Sequence, residues 1–170
     1  RAHRRRDRED DYDPSLAELG CVWPAANIVV VYEFSTMQQH FYQGHTDEVV
    51  CIAVHPTMSI VASGQLGAVP SIHIWRPNDR TCLRHIHGFH KYGIALLEFN
   101  HRGDQLASVG LDTDHSLAIH AWTHGSHLVA SGRSNGSPQP LDMAFSEDDK
   151  TLCVVAHKYI TFFTITGRAL

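Results

Sequence analysis

Short runs of four to seven alternating or wholly apolar residues recur along this chain, separated by Gly, Pro, Asn, Asp and Ser, and helical periodicity is hard to find anywhere. Ile28–Phe34, Val49–Val54, Ile60–Ser63, Ile72–Trp75, Leu96–Phe99 and Leu106–Val109 are the clearest. The pattern predicts an all-β chain of many short strands.

The runs then repeat in order. Ile52-Ala53-Val54-His55-Pro56 is matched by Leu97-Glu98-Phe99-Asn100-His101 and by Met143-Ala144-Phe145-Ser146-Glu147. Val61-Ala62-Ser63-Gly64 returns as Leu106-Ala107-Ser108-Val109 and as Leu152-Cys153-Val154-Val155. Ile72-His73-Ile74-Trp75 aligns with Ile119-His120-Ala121-Trp122 and more loosely with Ile160-Thr161-Phe162-Phe163. A period in the low-to-mid forties is that of a four-stranded propeller blade. One such sheet has two apolar faces and cannot bury both alone; stacked around an axis, neighbours cover each other. The chain is therefore expected to hold a charged arm at 1–19, a partial blade at 20–43, blades at 44–87 and 88–132, and a partial blade at 133–170. That is about three blades, where a closed ring takes about four to eight. The expectation is a segment of a longer polypeptide with open edges, and aggregation when residues 1–170 are expressed alone; a soluble, cooperatively melting monomer would contradict it.

Composition narrows the function. The 170 residues carry 14 Lys+Arg, 18 Asp+Glu and a formal charge of −4, so bulk charge gives no grip on nucleic acid or an anionic membrane. Five arginines fall within Arg1–Arg8, offset by Asp7, Glu9, Asp10, Asp11 and Asp13, as in a solvated arm. No apolar stretch follows them, unlike a secretory signal, and no run is long enough to span a bilayer. Cys21, Cys51, Cys82 and Cys153 are far apart, with no CxxC spacing, which fits reduced thiols better than a disulfide framework.

The repeats resemble WD40 repeats. Gly44-His45 opens one and Trp75 closes its third strand; in the next, His90, Ser108, Asp112 and Trp122 stand where the family places its His, Ser, Asp and Trp. The resemblance implies a buried hydrogen-bonded network of His45, Ser63 and Trp75 in the first, and of His90, Ser108, Asp112 and Trp122 in the second. The first repeat lacks the Asp, with Gln65-Leu66-Gly67 in its place, and Phe163 closes a third that lacks both His and Trp. None contains the WD dipeptide. Phe41-Tyr42-Gln43-Gly44-His45-Thr46-Asp47-Glu48-Val49-Val50, continuing through Ala53-Val54-His55-Pro56, is similar to the echinoderm microtubule-associated protein-like family, closest to its large multi-unit members. Lys158–Thr164 and the Gly167–Leu170 ending fit it too. The likeness covers 19–170; 1–19 would then be the tail of a preceding HELP-type region. It implies a non-enzymatic, cytoplasmic, cytoskeletal propeller. The implied partners are tubulin, microtubules and other axonemal or cytoskeletal proteins, with the cilium or flagellum axoneme as a further location. The alternative is a general WD40 scaffold, such as an adaptor in a signalling or ubiquitin-ligase assembly.

Other chemistry finds little support. His85, His87 and His90, and His120, His124 and His127, are close in sequence but have no Cys or carboxylate at ligand spacing, so no metal or other cofactor is expected. No GxSxG or GxxxxGK[ST] occurs, and Cys51 lies in an apolar strand, so no catalytic residue is assigned. Partner binding is expected on loops: Gln65–Pro70, Asp112–His115 and the Ser/Gly/Pro-rich Ser131–Pro140, expected to be mobile, with Arg76, Arg80, Arg84 and Arg102 as a local basic patch.

Overall fold

A computed structural model describes residues 20–134 and 139–166. The charged arm at 1–19, the Gly167–Leu170 ending and residues 135–138 lie outside the described residues. Fourteen strands follow in order: β1 Cys21–Ala25, β2 Ile28–Glu33, β3 Gln38–Tyr42, β4 Val49–Val54, β5 Val61–Gln65, β6 Ser71–Trp75, β7 Cys82–His87, β8 Ile94–Phe99, β9 Gln105–Gly110, β10 Ser116–Ala121, β11 His127–Arg133, β12 Pro140–Phe145, β13 Thr151–Ala156 and β14 Ile160–Thr164. They form four antiparallel meanders: sheet I (β1-β2-β3), sheet II (β4-β5-β6-β7), sheet III (β8-β9-β10-β11) and sheet IV (β12-β13-β14). Ser131–Arg133 belong to β11 and Pro140 to β12, so the expected Ser131–Pro140 loop is shorter than its composition suggested.

The three main apolar clusters each lie in a joint between neighbouring sheets. Val29, Val31, Tyr42, Val49, Val61 and Trp75 join sheets I and II. Ile72, Ile74, Ile94, Leu97, Phe99, Leu106 and Trp122 are among those joining II and III. Val109, Leu117, Ile119, Met143, Phe145, Leu152 and Val154 join III and IV. Strands β5 and β6 are buried at every position, because both faces of sheet II are covered; alternation is muted for the same reason. The inner strands β4, β8 and β12 pack side by side, so Ile52–Val54 and Leu97–Phe99 occupy equivalent places. On the face of sheet I turned away from sheet II, Trp23, Val30 and Phe41 form a cross-strand row. Trp23 and Phe41 of that row are exposed and Val30 between them is buried; Phe162 on sheet IV is exposed.

Turns are tied across the joints. The His55 ring accepts the Thr57 and Met58 amides at Nδ1 and donates from Nε2 to Gly103 O at 2.9 Å. Gly103 sits at φ 74, and a Cβ there would lie 2.0 Å from His55 Nε2, so only glycine fits. Asp149, its side chain 3% exposed, accepts the His101 and Arg102 amides and the Asn100 carboxamide. These groups staple the β4–β5, β8–β9 and β12–β13 turns into one rim.

Candidate functional site

Sheet II holds a directed chain of hydrogen bonds. The Trp75 indole N–H donates to Ser63 Oγ at 3.0 Å, and Ser63 Oγ lies 2.6 Å from His45 Nε2. His45 Nδ1 donates to Gln65 Oε1 at 2.8 Å, which leaves Nε2 to accept the Ser63 proton. Gln65 Nε2 donates to Thr46 Oγ1 at 3.0 Å. The carboxamide thus fills the acceptor role of the missing Asp, without a buried charge. Two further rings brace the chain: Tyr42 stacks on Trp75 with centroids 4.2 Å apart, and the Tyr42 hydroxyl lies 2.8 Å from His73 Nδ1. Burial, with His45 and His85 nearby, drives His73 down to about 3, so the imidazole is neutral at pH 7.

Sheet III builds a different chain. Ser108 Oγ lies 2.7 Å from His90 Nε2, His90 Nδ1 lies 2.7 Å from Ser116 Oγ, and Ser116 donates to Asp112 from both its hydroxyl and its amide. Asp112 therefore acts through Ser116, a residue the sequence reading missed. Burial raises the Asp112 carboxyl, but the Ser116 bonds outweigh it and hold it below the usual range. Burial lowers His90 to about 4, against the opposing pull of Asp112. Trp122 takes no part: its indole donates to Gly103 O at 2.7 Å and its ring packs near Phe99 and His55.

Register explains the absence. Trp75 pairs with Val61, the counterpart of Leu106, and Leu106 pairs with His120. His45 and His90, Ser63 and Ser108, and Trp75 and His120 are each 45 positions apart. The third-strand alignment on Trp122 is therefore two residues out, and His120 occupies the Trp position. In sheet IV the same positions are Val154 and Phe163, paired through Leu152 and Thr161, and both are apolar.

The expected binding residues divide sharply. Gln65 is 3% exposed and Pro70 is buried, so neither offers a free loop surface. Arg84 staples two sheets, donating from Nε to Trp122 O at 2.9 Å and from Nη2 to Thr123 O at 3.1 Å. Arg102 reaches Asp149 at 3.3 Å. Arg76 and Arg80, in the β6–β7 turn, are exposed. Cys51 Sγ lies 3.3 Å from Ile94 O, and burial pushes the thiol up to about 12, far from a reactive thiolate. Among the described residues no group of three His, Cys, Asp or Glu is arranged to hold a metal ion, and no helix is long and apolar enough to cross a membrane.

No protein-family model matches the chain. Over 164 residues, 88% of this chain, it is 28% identical to echinoderm microtubule-associated protein-like 2 of Mus musculus and 29% identical to echinoderm microtubule-associated protein-like 1 of Rattus norvegicus. Over 140 residues, 77% of the chain, it is 28% identical to WD repeat-containing protein 90 of Xenopus tropicalis. The chain is a WD40-type propeller segment. The resemblance read from its sequence extends over most of its length, to relatives of which it spans 24%, 20% and 8% respectively. Among the described residues, sheets II and III have four strands each, one closed by its tryptophan and the other not.

Proposed function

We propose that this WD40 segment is a non-catalytic element of a microtubule-associated protein, docking on tubulin or the axonemal lattice as a rigid scaffold in the cytoskeleton or cilium. The observation that carries the reading is the similarity along 88% of the chain to relatives named as microtubule-associated. The fold is suited to the role: buried networks and stapled turns hold the loops fixed, so a partner meets a preorganised surface. Arg76 and Arg80 lie on the stapled rim, unengaged by any ion pair among the described residues, and give that rim the charge to meet acidic tubulin tails. Co-sedimentation of the intact polypeptide with microtubules across a salt series tests this. Pelleting that weakens with salt and falls with Arg76→Glu/Arg80→Glu is expected; no pelleting at any salt removes the reading.

A second reading, a WD40 scaffold for other proteins without tubulin contact, is favoured by the net charge of −4, which opposes binding to an acidic lattice. Partners recovered from native extract, with tubulin absent, would select it.

A further inference from the structure

The joint between sheets I and II is packed less fully at one end than its counterpart between II and III. Phe99 ends β8 and Trp122 follows β10; both are buried in the II–III joint, with ring centroids 6.0 Å apart. Forty-five positions earlier stand Val54 and Pro77. Two aromatic rings are thus replaced by a small branched side chain and a pyrrolidine, and a cavity of about 270 Å³ is left there. Val22 and Val31 of sheet I, with Val54, Ile60, Val61 and Pro77 at the edge of sheet II, form its walls. Of the two polar side chains on its lining, Cys21 and Ser59, the Ser59 hydroxyl already donates to Asn78 Oδ1 at 3.3 Å. Val54 is 59% exposed, so the cavity opens to solvent, and its aliphatic walls favour an apolar occupant.

Charge sits beside the opening. Pro77 lies in the β6–β7 turn with Arg76 and Arg80, both exposed and in no ion pair among the described residues. The turn is closed by the Arg80 amide on Arg76 O at 2.8 Å and the Arg76 amide on Thr81 O at 3.0 Å. Its single carboxylate, Asp79, accepts the Thr81 amide, so two guanidinium groups on a fixed turn outnumber it. We propose that this joint docks a partner segment in which one bulky apolar side chain is flanked by carboxylates. The side chain takes the space that Phe99 and Trp122 fill in the next joint, and the carboxylates meet Arg76 and Arg80. A basic segment is a poorer occupant because the arginines repel it, and a wholly apolar one leaves them without a partner. The inference goes beyond the microtubule reading: the arginines serve both, the cavity only this one.

Fluorescence anisotropy of the intact polypeptide with a labelled peptide, four aspartates around a central phenylalanine, tests the proposal. Saturable binding that weakens with salt is expected, and replacing the phenylalanine by alanine should weaken it about tenfold. Val54→Phe, which copies Phe99 and fills the cavity, should abolish binding. Arg76→Glu with Arg80→Glu should weaken it and flatten its salt dependence. No saturable binding, equal binding of the two peptides, or binding unchanged by Val54→Phe would overturn the proposal. So would binding that appears only after Leu16→Glu with Leu19→Glu, which would assign the cavity to residues ahead of Gly20 in the same chain. Peptide binding without microtubule pelleting would support this inference and remove the other reading; pelleting without peptide binding would do the reverse.

Discussion

Sheets II and III share a backbone pattern and a 45-residue offset, yet they close differently. In sheet II, Trp75, Ser63, His45 and Gln65 form one chain of donors and acceptors, with Tyr42 stacked over it. In sheet III the chain starts at Ser108 with no indole donating to it, runs in the same sense through His90 and Ser116 to Asp112, and has His120 where sheet II has its tryptophan. A buried polar network rigidifies a blade only when each member has its partner. The comparison teaches that a carboxamide can replace the expected carboxylate, whereas a histidine cannot replace the tryptophan.

Acidification gives the largest effect. His73 and His90 are neutral and buried, with pKa values lowered to about 3 and about 4. Above about pH 6.5 neither the folded nor the unfolded state binds these protons. As pH falls below that, the unfolded chain takes them first, so stability drops from about pH 6.5 down to about 4 for His90 and about 3 for His73, on the order of 3 and 5 kcal/mol respectively. Urea unfolding across pH should show this, and His73→Ala, which copies Ala118 of sheet III, should flatten part of the slope.

Next come the two serines. Ser63→Ala orphans both Trp75 Nε1 and His45 Nε2 and should cost about 2–4 kcal/mol, whereas Ser108→Ala orphans only His90 Nε2 and should cost about 1–2 kcal/mol. Equal shifts in urea midpoint would break the comparison. Gln65→Leu removes the acceptor of His45 Nδ1 and should cost about 1–3 kcal/mol; no measurable change in melting temperature would show that the carboxamide does not stand in for the Asp. Arg76→Glu with Arg80→Glu marks the small end. Both side chains are exposed, so stability should stay within about 0.5 kcal/mol while microtubule pelleting falls.

Much of this was legible in the sequence, because strand length, turn residues and period are local properties. Ile52–Val54 and Leu97–Phe99 were aligned from pattern alone, and their strands pair with the matching partners. The third strand of sheet III was misaligned because Trp122 drew the register to itself; a fixed 45-residue step points to His120 instead. Gln65 and Pro70 read as loop surface because turn composition does not reveal depth. Arg84 read as a free charge because its carbonyl partners, Trp122 and Thr123, come from a neighbouring sheet far along the chain. The Asp149 staple was likewise invisible, since its donors lie 47 to 49 residues away.

A pair of double-mutant cycles on the intact polypeptide tests the central claim, that tryptophan closes the network in sheet II and stands apart from it in sheet III. Ser63→Ala with Trp75→Phe should show a coupling of about 1–2 kcal/mol, and Ser108→Ala with Trp122→Phe a coupling within about 0.5 kcal/mol of zero. Coupling of similar size in both cycles would contradict the account.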